Sequence, residues 1–269
     1  MNKYRLSEQF FSIQGEGSYA GQPSLWARVF GCNLKCPGFP CDTEYSWNPA
    51  FKDGSNTYTA VEIVDNWIEM LKTTSNPDGL FRHPITKNDI HFVLTGGEPL
   101  LVKYQKMLME ILGVLNERNV NNTPIFITIE TNGTQALIPE FIMALEDQYE
   151  RSPYFEIFFS ISPKLLAVSG EIDAVDYDNI IHILTDYPGQ LKFVCSDTAE
   201  CEEELDLVVS VLNAKRTSVT VPFEYWIMPL GTTRDDQLQI APIVEKYQAK
   251  GYKIATRNHT YIWSDAKNR

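Results

Sequence analysis

Apolar, β-branched and aromatic residues recur in short runs along the chain: LWARVF (25–30), IHFVLT (90–95), PIFITIE (124–130), FEIFFSIS (155–162), QLKFVCS (190–196), VPFEYWIMP (221–229) and YKIATRN (252–258). Runs of this length and composition predict mostly buried strands. Between them the period changes. Val64, Trp67, Ile68 and Leu71 fall at i, i+3, i+4 and i+7; so do Tyr104, Met107, Leu108, Ile111, Leu112 and Leu115, then Leu205, Val208, Val209 and Leu212, and finally Ile240, Ile243, Val244 and Tyr247. That spacing predicts helices with one face packed on a sheet, and weaker helical stretches follow Pro139 and Asp176. Alternation of strand and helix argues for an α/β fold whose mostly parallel sheet is either doubly wound or curled into a partial (β/α) barrel. Segments near 48–58 and 73–89 interrupt the alternation with turn residues and are expected to be surface insertions, leaving one domain over residues 1–269.

Composition narrows the function classes. Of 269 residues, 43% are hydrophobic, enough for a sizeable core. The 35 acidic and 23 basic residues give a net charge of −12, which opposes attraction to phosphate backbones and anionic membranes. A small-molecule substrate therefore fits better than a nucleic acid or a membrane. The start, MNKYRLSEQF, has no basic stretch followed by an apolar run, and no apolar run approaches the roughly 20 residues that cross a bilayer. Five cysteines are too few for a disulfide scaffold in a chain this long, so a cytoplasmic protein with reduced thiols is expected.

Three of those cysteines fall within GCNLKCPGFPC (31–41), directly after the 25–30 run. Other unusual segments also follow strands: TGGEP (95–99), ETNGT (130–134), SPK (162–164), MPLGTT (228–233) and TRNH (256–259). In parallel α/β folds such loops gather at the C-terminal edge of the sheet, where ligands bind. Each alone reads as a turn; their convergence points to a site. The Asn, Lys and Pro residues around Cys32, Cys36 and Cys41 do not describe a core strand. Structural zinc needs four ligands, and no histidine or fourth cysteine is near in sequence, so zinc is the secondary reading and Cys195 and Cys201 are incidental. Three thiolates on one loop suit a [4Fe–4S] cluster in which one iron lacks a protein ligand. Arg28, inside LWARVF, needs an anionic partner, because an unpaired charge there is costly. A substrate anion and an ion pair with Glu16 are the two candidates.

A three-cysteine loop after one strand and Gly96-Gly97-Glu98-Pro99 after the next resemble the radical S-adenosylmethionine (SAM) superfamily. Within it, FFSIQGEGSYAGQPSLWARVFGCNLKC, CDT (41–43), TGGEPLL, ETNGT, SPK and a C-terminal Arg-x-His resemble the 7-carboxy-7-deazaguanine synthase family of the queuosine pathway, nearly end to end. One departure stands out. The superfamily spaces its cysteines C-x3-C-x2-C, whereas Cys36 and Cys41 enclose Pro37, Gly38, Phe39 and Pro40, which reads as a two-residue insertion.

The resemblance implies a partial barrel of the radical SAM type. It also implies a lyase that converts 6-carboxy-5,6,7,8-tetrahydropterin to 7-carboxy-7-deazaguanine with loss of ammonia, through a 5′-deoxyadenosyl radical. The radical arises on SAM, so no side chain is assigned as catalytic. By the same resemblance, Cys32, Cys36 and Cys41 ligate the cluster, and Thr43 ligates magnesium, a helix-capping hydroxyl being the alternative. Pro40, Asp42, Gly96, Gly97, Glu98, Ser162, Lys164, Met228 and Gly231 are expected around SAM. Ile13, Gln14, Gly15, Glu16, Arg28, Thr95 and His259 are expected around the pterin. Competing readings are a solvated Lys164 and a merely packed His259. Implied partners are a reductase or flavodoxin-like electron donor and a second copy in a homodimer. Two other classes stay open: a glycyl-radical-enzyme activase, which shares SAM cleavage but acts on a protein, and a non-enzymatic zinc-binding module.

Overall fold

The structure, a computed structural model, describes residues 2–38, 41, 43–118, 125–216 and 223–264. Among the described residues nine strands form one sheet: β1 (Tyr4–Ile13), β2 (Pro23–Val29), β3 (Asn56–Tyr58), β4 (His91–Gly96), β5 (Ile125–Thr131), β6 (Phe155–Ile161), β7 (Gly189–Cys195), β8 (Glu224–Pro229) and β9 (Lys253–Ile254). Their spatial order is β3-β1-β2-β4-β5-β6-β7-β8-β9. From β2 through β4 to β9 every pairing is parallel. At the other edge β1 runs antiparallel to both β2 and β3.

The order decides between the two architectures left open by the sequence. A doubly wound sheet reverses direction at a switch point. Here each crossover steps onward in one sense, so right-handed connections place the helices on a single face. The chain is a partial barrel. The helices are α1 (Ala60–Leu71), α2 (Val102–Arg118), α3 (Pro139–Arg151), α4 (Leu166–Ser169), α5 (Tyr177–Asp186), α6 (Ala199–Lys215), α7 (Arg234–Gln237), α8 (Ala241–Gln248) and α9 (Asn258–Trp263).

Strand alternation sorts the side chains into two sets. Leu25, Ala27 and Val29 of β2 face the helices and share one core with Trp67 of α1 and with Tyr104, Met107 and Ile111 of α2. Trp26 and its neighbours in space, Phe10 and Val93, form a separate small cluster on the inner face. The predicted helical stripes lie in helices, except that Ile240 precedes α8 as its N-cap, and α1 starts on a capping box in which Thr59 and Glu62 satisfy each other's backbone N–H groups.

Three expectations need correction. The strand at the chain start, β1, was not foreseen: YRLSEQFFSI mixes charges into its alternation because it lies near the sheet edge, where part of each face meets solvent. The 48–58 segment is no simple insertion, since it ends in β3, which pairs with Tyr4–Leu6. The 252–258 run shrinks to the two-residue β9, and Asn258 already opens α9. Cys195 and Cys201, read as incidental, lie in the helix-side core. Pro124, Val221 and Pro222, expected at strand starts, lie outside the described residues.

Residues 14–22, between β1 and β2, cross the N-terminal end of the barrel. Ser18 donates to Gln190 Oε1 through its backbone N (3.0 Å) and its hydroxyl (2.8 Å), and Gln190 in turn donates to Ser160 Oγ at 2.9 Å. The Tyr19 ring meets His91, Phe126 and Phe158 edge-on at 5.3, 4.8 and 4.9 Å. A polar clamp and an aromatic box thus hold the loop across four strands, which fixes Gln14, Gly15 and Glu16 against the barrel interior.

Candidate functional site

One cavity occupies the inner face. Cys32, Cys36, Cys41, Thr43, Gly96 and Gly97 line one side of it; Ser162, Lys164, Met228 and Gly231 line another; Ile13, Gln14, Gly15, Glu16, Arg28, Thr95 and His259 line the remainder. Residues far apart in sequence therefore meet, as the C-terminal edge of a parallel sheet requires. Pro40 and Asp42 lie outside the described residues. Glu98 alone among the described candidates does not line the cavity.

Glu98 is instead fully buried beneath it. Its carboxylate accepts from Leu100 N (2.8 Å), Thr131 Oγ1 (2.7 Å) and Asn132 N (2.8 Å), so it ties the turn after β4 to the turn after β5. Burial pushes its carboxyl above the usual range even against those hydrogen bonds. The neighbouring glycines serve close approach: a Cβ on Gly97 would stand 2.0 Å from Gly31 O. Glu98 N donates to that same Gly31 O at 2.8 Å, locking this turn onto the base of the cysteine loop. The far side of the loop is held by Glu171, whose carboxylate accepts from Lys35 N and from Cys36 N, the latter at 2.5 Å, and by Gly38 N donating to Ser169 O at 2.7 Å.

The cavity floor is a charge network. Lys192 Nζ lies 2.8 Å from Glu16 and 3.7 Å from Glu130, and Arg257 Nε lies 3.1 Å from Glu16. Gln14 Nε2 and Thr95 Oγ1 donate to the two oxygens of Glu130 at 3.0 and 2.9 Å. Burial alone pushes the Glu16 carboxyl up, but Lys192 and Arg257 outweigh it and hold the group below the usual carboxylate range. Burial likewise opposes charge on Lys192, and the two carboxylates override it and raise the ammonium's pKa. Glu16 and Lys192 are therefore both charged at neutral pH. Gly15 lets the chain end close over this floor: Asn258 N donates to Gly15 O at 2.9 Å, and a Cβ on Gly15 would stand 2.0 Å from His259 Nδ1. His259 is thus part of the cavity wall and not only a packed ring.

Two competing readings fail on geometry. Arg28 pairs not with Glu16 but with Glu8, Nε to Oε1 at 2.5 Å. Thr43 precedes a 3-10 turn (Glu44–Ser46), yet its hydroxyl makes no cap bond there and instead lies 3.5 Å from Cys41 Sγ. Lys164, partly buried, donates to Ser162 Oγ at 3.1 Å across the cavity wall.

Comparison with known proteins fits this site. No family model matches the chain. It is 29% identical over 282 residues to the 7-carboxy-7-deazaguanine synthase of Halobacterium salinarum, covering 97% of this chain and 91% of that one. Proteins of the same description from Pyrobaculum aerophilum and Bacillus cereus are each 24% identical, covering 99% of this chain and 98% and 99% of theirs. The chain is thus similar to 7-carboxy-7-deazaguanine synthases over nearly its whole length. The fold is also similar to the crystal structure of QueE from Escherichia coli, at a TM-score of 0.57 and 18% identity, covering 96% of this chain and 95% of that one.

The 7-carboxy-7-deazaguanine synthase family implies a [4Fe–4S] cluster and SAM, and the donor chemistry here fits. Cys32, Cys36 and Cys41 form no disulfide and line one wall, soft ligands suited to iron–sulfur ligation. Leu34 N donates to Cys32 Sγ at 3.4 Å, a bond a ligating sulfur accepts. Burial pushes the Cys32 thiol up to about 12, so metal binding itself must displace its proton. Among the described residues no three His, Cys, Asp or Glu side chains gather closely enough to hold a single ion. A cluster asks for something wider, since each thiolate meets its own iron.

Proposed function

We propose that this chain is a radical SAM lyase that converts 6-carboxy-5,6,7,8-tetrahydropterin to 7-carboxy-7-deazaguanine with loss of ammonia, in 7-deazapurine biosynthesis. The observation that carries the reading is the convergence of a three-thiol wall and an ionised polar floor on one cavity. When bound, the cluster and SAM supply reductive cleavage of the sulfonium and hydrogen abstraction from the pterin.

The chain's own residues bind and orient. Cys32, Cys36 and Cys41 hold the cluster. Gly96, Gly97, Ser162, Lys164, Met228 and Gly231 receive SAM, with Lys164 meeting its carboxylate. Gln14 and Glu16 present amide and carboxylate groups to the donor–acceptor edge of the pterin, while Arg28 grips the 6-carboxylate. The loop over 14–22 and the segment around His259 shut water out of the floor. Thr43 offers a hard oxygen to magnesium, which keeps several waters and takes few protein ligands. No described helix is long and apolar enough to cross a membrane. We further propose one radical SAM domain over 1–269, a cytoplasmic location, a reductase or flavodoxin-like electron donor, and a homodimer.

Arg28→Gln tests the reading. The variant should take up iron normally, because its partner Glu8 and the cysteine loop lie on different elements, yet lose use of the carboxypterin by at least roughly tenfold. A wild-type chain that binds no carboxypterin, matched by the variant in every assay, makes the protein-directed activase the better account.

A further inference from the structure

We propose that Glu8 is a positioning residue that aims Arg28 at the 6-carboxylate and thereby sets selectivity for a carboxylated pterin over one lacking that group; the inference rests on the function proposed above. Glu8 does not line the cavity. Its side chain is 9% exposed and stands behind Arg28, accepting from Arg28 Nε at 2.5 Å and from the Tyr45 hydroxyl at 2.7 Å through the same oxygen. The Arg28 guanidinium lies 5.9 Å from the centroid of the Phe10 ring and 5.8 Å from that of Tyr45. Phe10 is in turn stacked on Trp26 at 5.5 Å.

An arginine held at Nε and flanked by rings has already lost the rotamer freedom that gripping a ligand would otherwise cost. Glu8 also joins two parts of the site. Tyr45 sits in the 3-10 turn that follows Thr43, and Ser46 O accepts from Gly31 N, at the root of the cysteine loop, at 2.7 Å. One carboxylate therefore fixes the direction of the anion grip relative to the turn that carries Thr43. If Glu8 served only to neutralise a buried charge, its loss would weaken every ligand alike.

Titrating 6-carboxypterin and unsubstituted pterin into the full, cluster-loaded chain with SAM present, and following pterin fluorescence, separates the two. Glu8→Ala should weaken 6-carboxypterin by about tenfold while unsubstituted pterin moves by less than about twofold. Glu8→Gln, which keeps an acceptor oxygen, should recover part of the loss. Combining Glu8→Ala with Arg28→Gln should bind no more weakly than Arg28→Gln alone, because both act through one guanidinium. If Glu8→Ala does not fold, Tyr45→Phe removes one of the two partners and should shift selectivity in the same direction. Equal losses for both pterins, or unchanged selectivity in the folded variant, overturn the inference alone. A wild-type chain that binds neither pterin overturns the function and the inference together.

Discussion

Lys192 is the most exposing test of the cavity floor, although it is almost wholly hidden. Its side chain is 4% exposed and faces Glu16 at 2.8 Å and Glu130 at 3.7 Å. Lys192→Met keeps the length of the side chain and removes the charge. Glu16 would retain Arg257 at 3.1 Å but lose its nearer cation, and the part-buried Glu130 would lose the ammonium that faces it. Removing one partner of a buried ion pair costs about 3–5 kcal/mol, mostly as the uncompensated charge left behind. At roughly 2–4 °C per kcal/mol for a chain of this size, Tm should fall by roughly 6–20 °C. Thermal and urea melts followed by circular dichroism give both numbers.

The pH dependence supplies the sign. In the wild type the Glu16 carboxyl sits below its ordinary 4.5, so its contribution is complete above that value and is lost as pH falls through the lower folded value. Without Lys192 the folded value rises, and protonation relieves the repulsion. The wild-type and variant stability curves should therefore converge below pH 4.5. Adding Glu130→Gln to Lys192→Met should recover part of the loss at neutral pH. A loss under about 1 kcal/mol at pH 7, or curves that diverge in acid, would refute the network as drawn.

Three further outcomes follow from other parts of the structure. Gly97→Ala drives a Cβ to 2.0 Å from Gly31 O, a backbone atom that cannot rotate away, so the cysteine loop must shift; iron content after anaerobic reconstitution should drop, and full uptake would show that the loop accommodates the methyl. His91 stacks on Phe126 at 3.9 Å, and burial pulls its imidazole from 6.5 down to about 4, so its contribution is complete above pH 6.5 and lost as pH falls toward about 4. His91→Phe, which preserves the stack, should flatten the stability curve over that window, and an unchanged slope would assign it to other groups. Thr43→Ala should weaken the response of turnover to added magnesium more than it weakens cluster assembly, whereas equal turnover in chelator and in magnesium would remove the metal role from Thr43.

Much of the fold could be read from period alone, because a sheet buried on its helix side writes apolar runs and the covering helices write i, i+3, i+4 stripes. β1 escaped because an antiparallel strand near an edge, with Arg5 and Glu8 in it, has a weak run. The cavity was legible where chemistry is concentrated in loops: the cysteine segment, TGGEP and SPK all reach it. It was less legible inside strands. The reasoning that singled out Arg28 as a charge in an apolar strand applies equally to Lys192 in QLKFVCS and Glu130 in PIFITIE, and would have found the floor network. Glu98 and Glu171 show a different limit. Each holds a loop through backbone N–H groups, and nothing in a linear sequence says which distant turn a carboxylate will cap. The pairing of Arg28 with Glu8 rather than Glu16 has the same origin, since it depends on the register of β1 against β2, where Glu8 lies opposite Arg28.

The proposed ring contraction of a carboxypterin in this cavity has its own assay. It is tested most directly by anaerobic reconstitution of the chain with iron and sulfide, incubation with SAM, reductant and 6-carboxy-5,6,7,8-tetrahydropterin, and mass spectrometry of the products. 7-Carboxy-7-deazaguanine and 5′-deoxyadenosine should form together, and both should be absent when Cys32, Cys36 and Cys41 are replaced by alanine. SAM cleavage that leaves the pterin intact under the same conditions would contradict it.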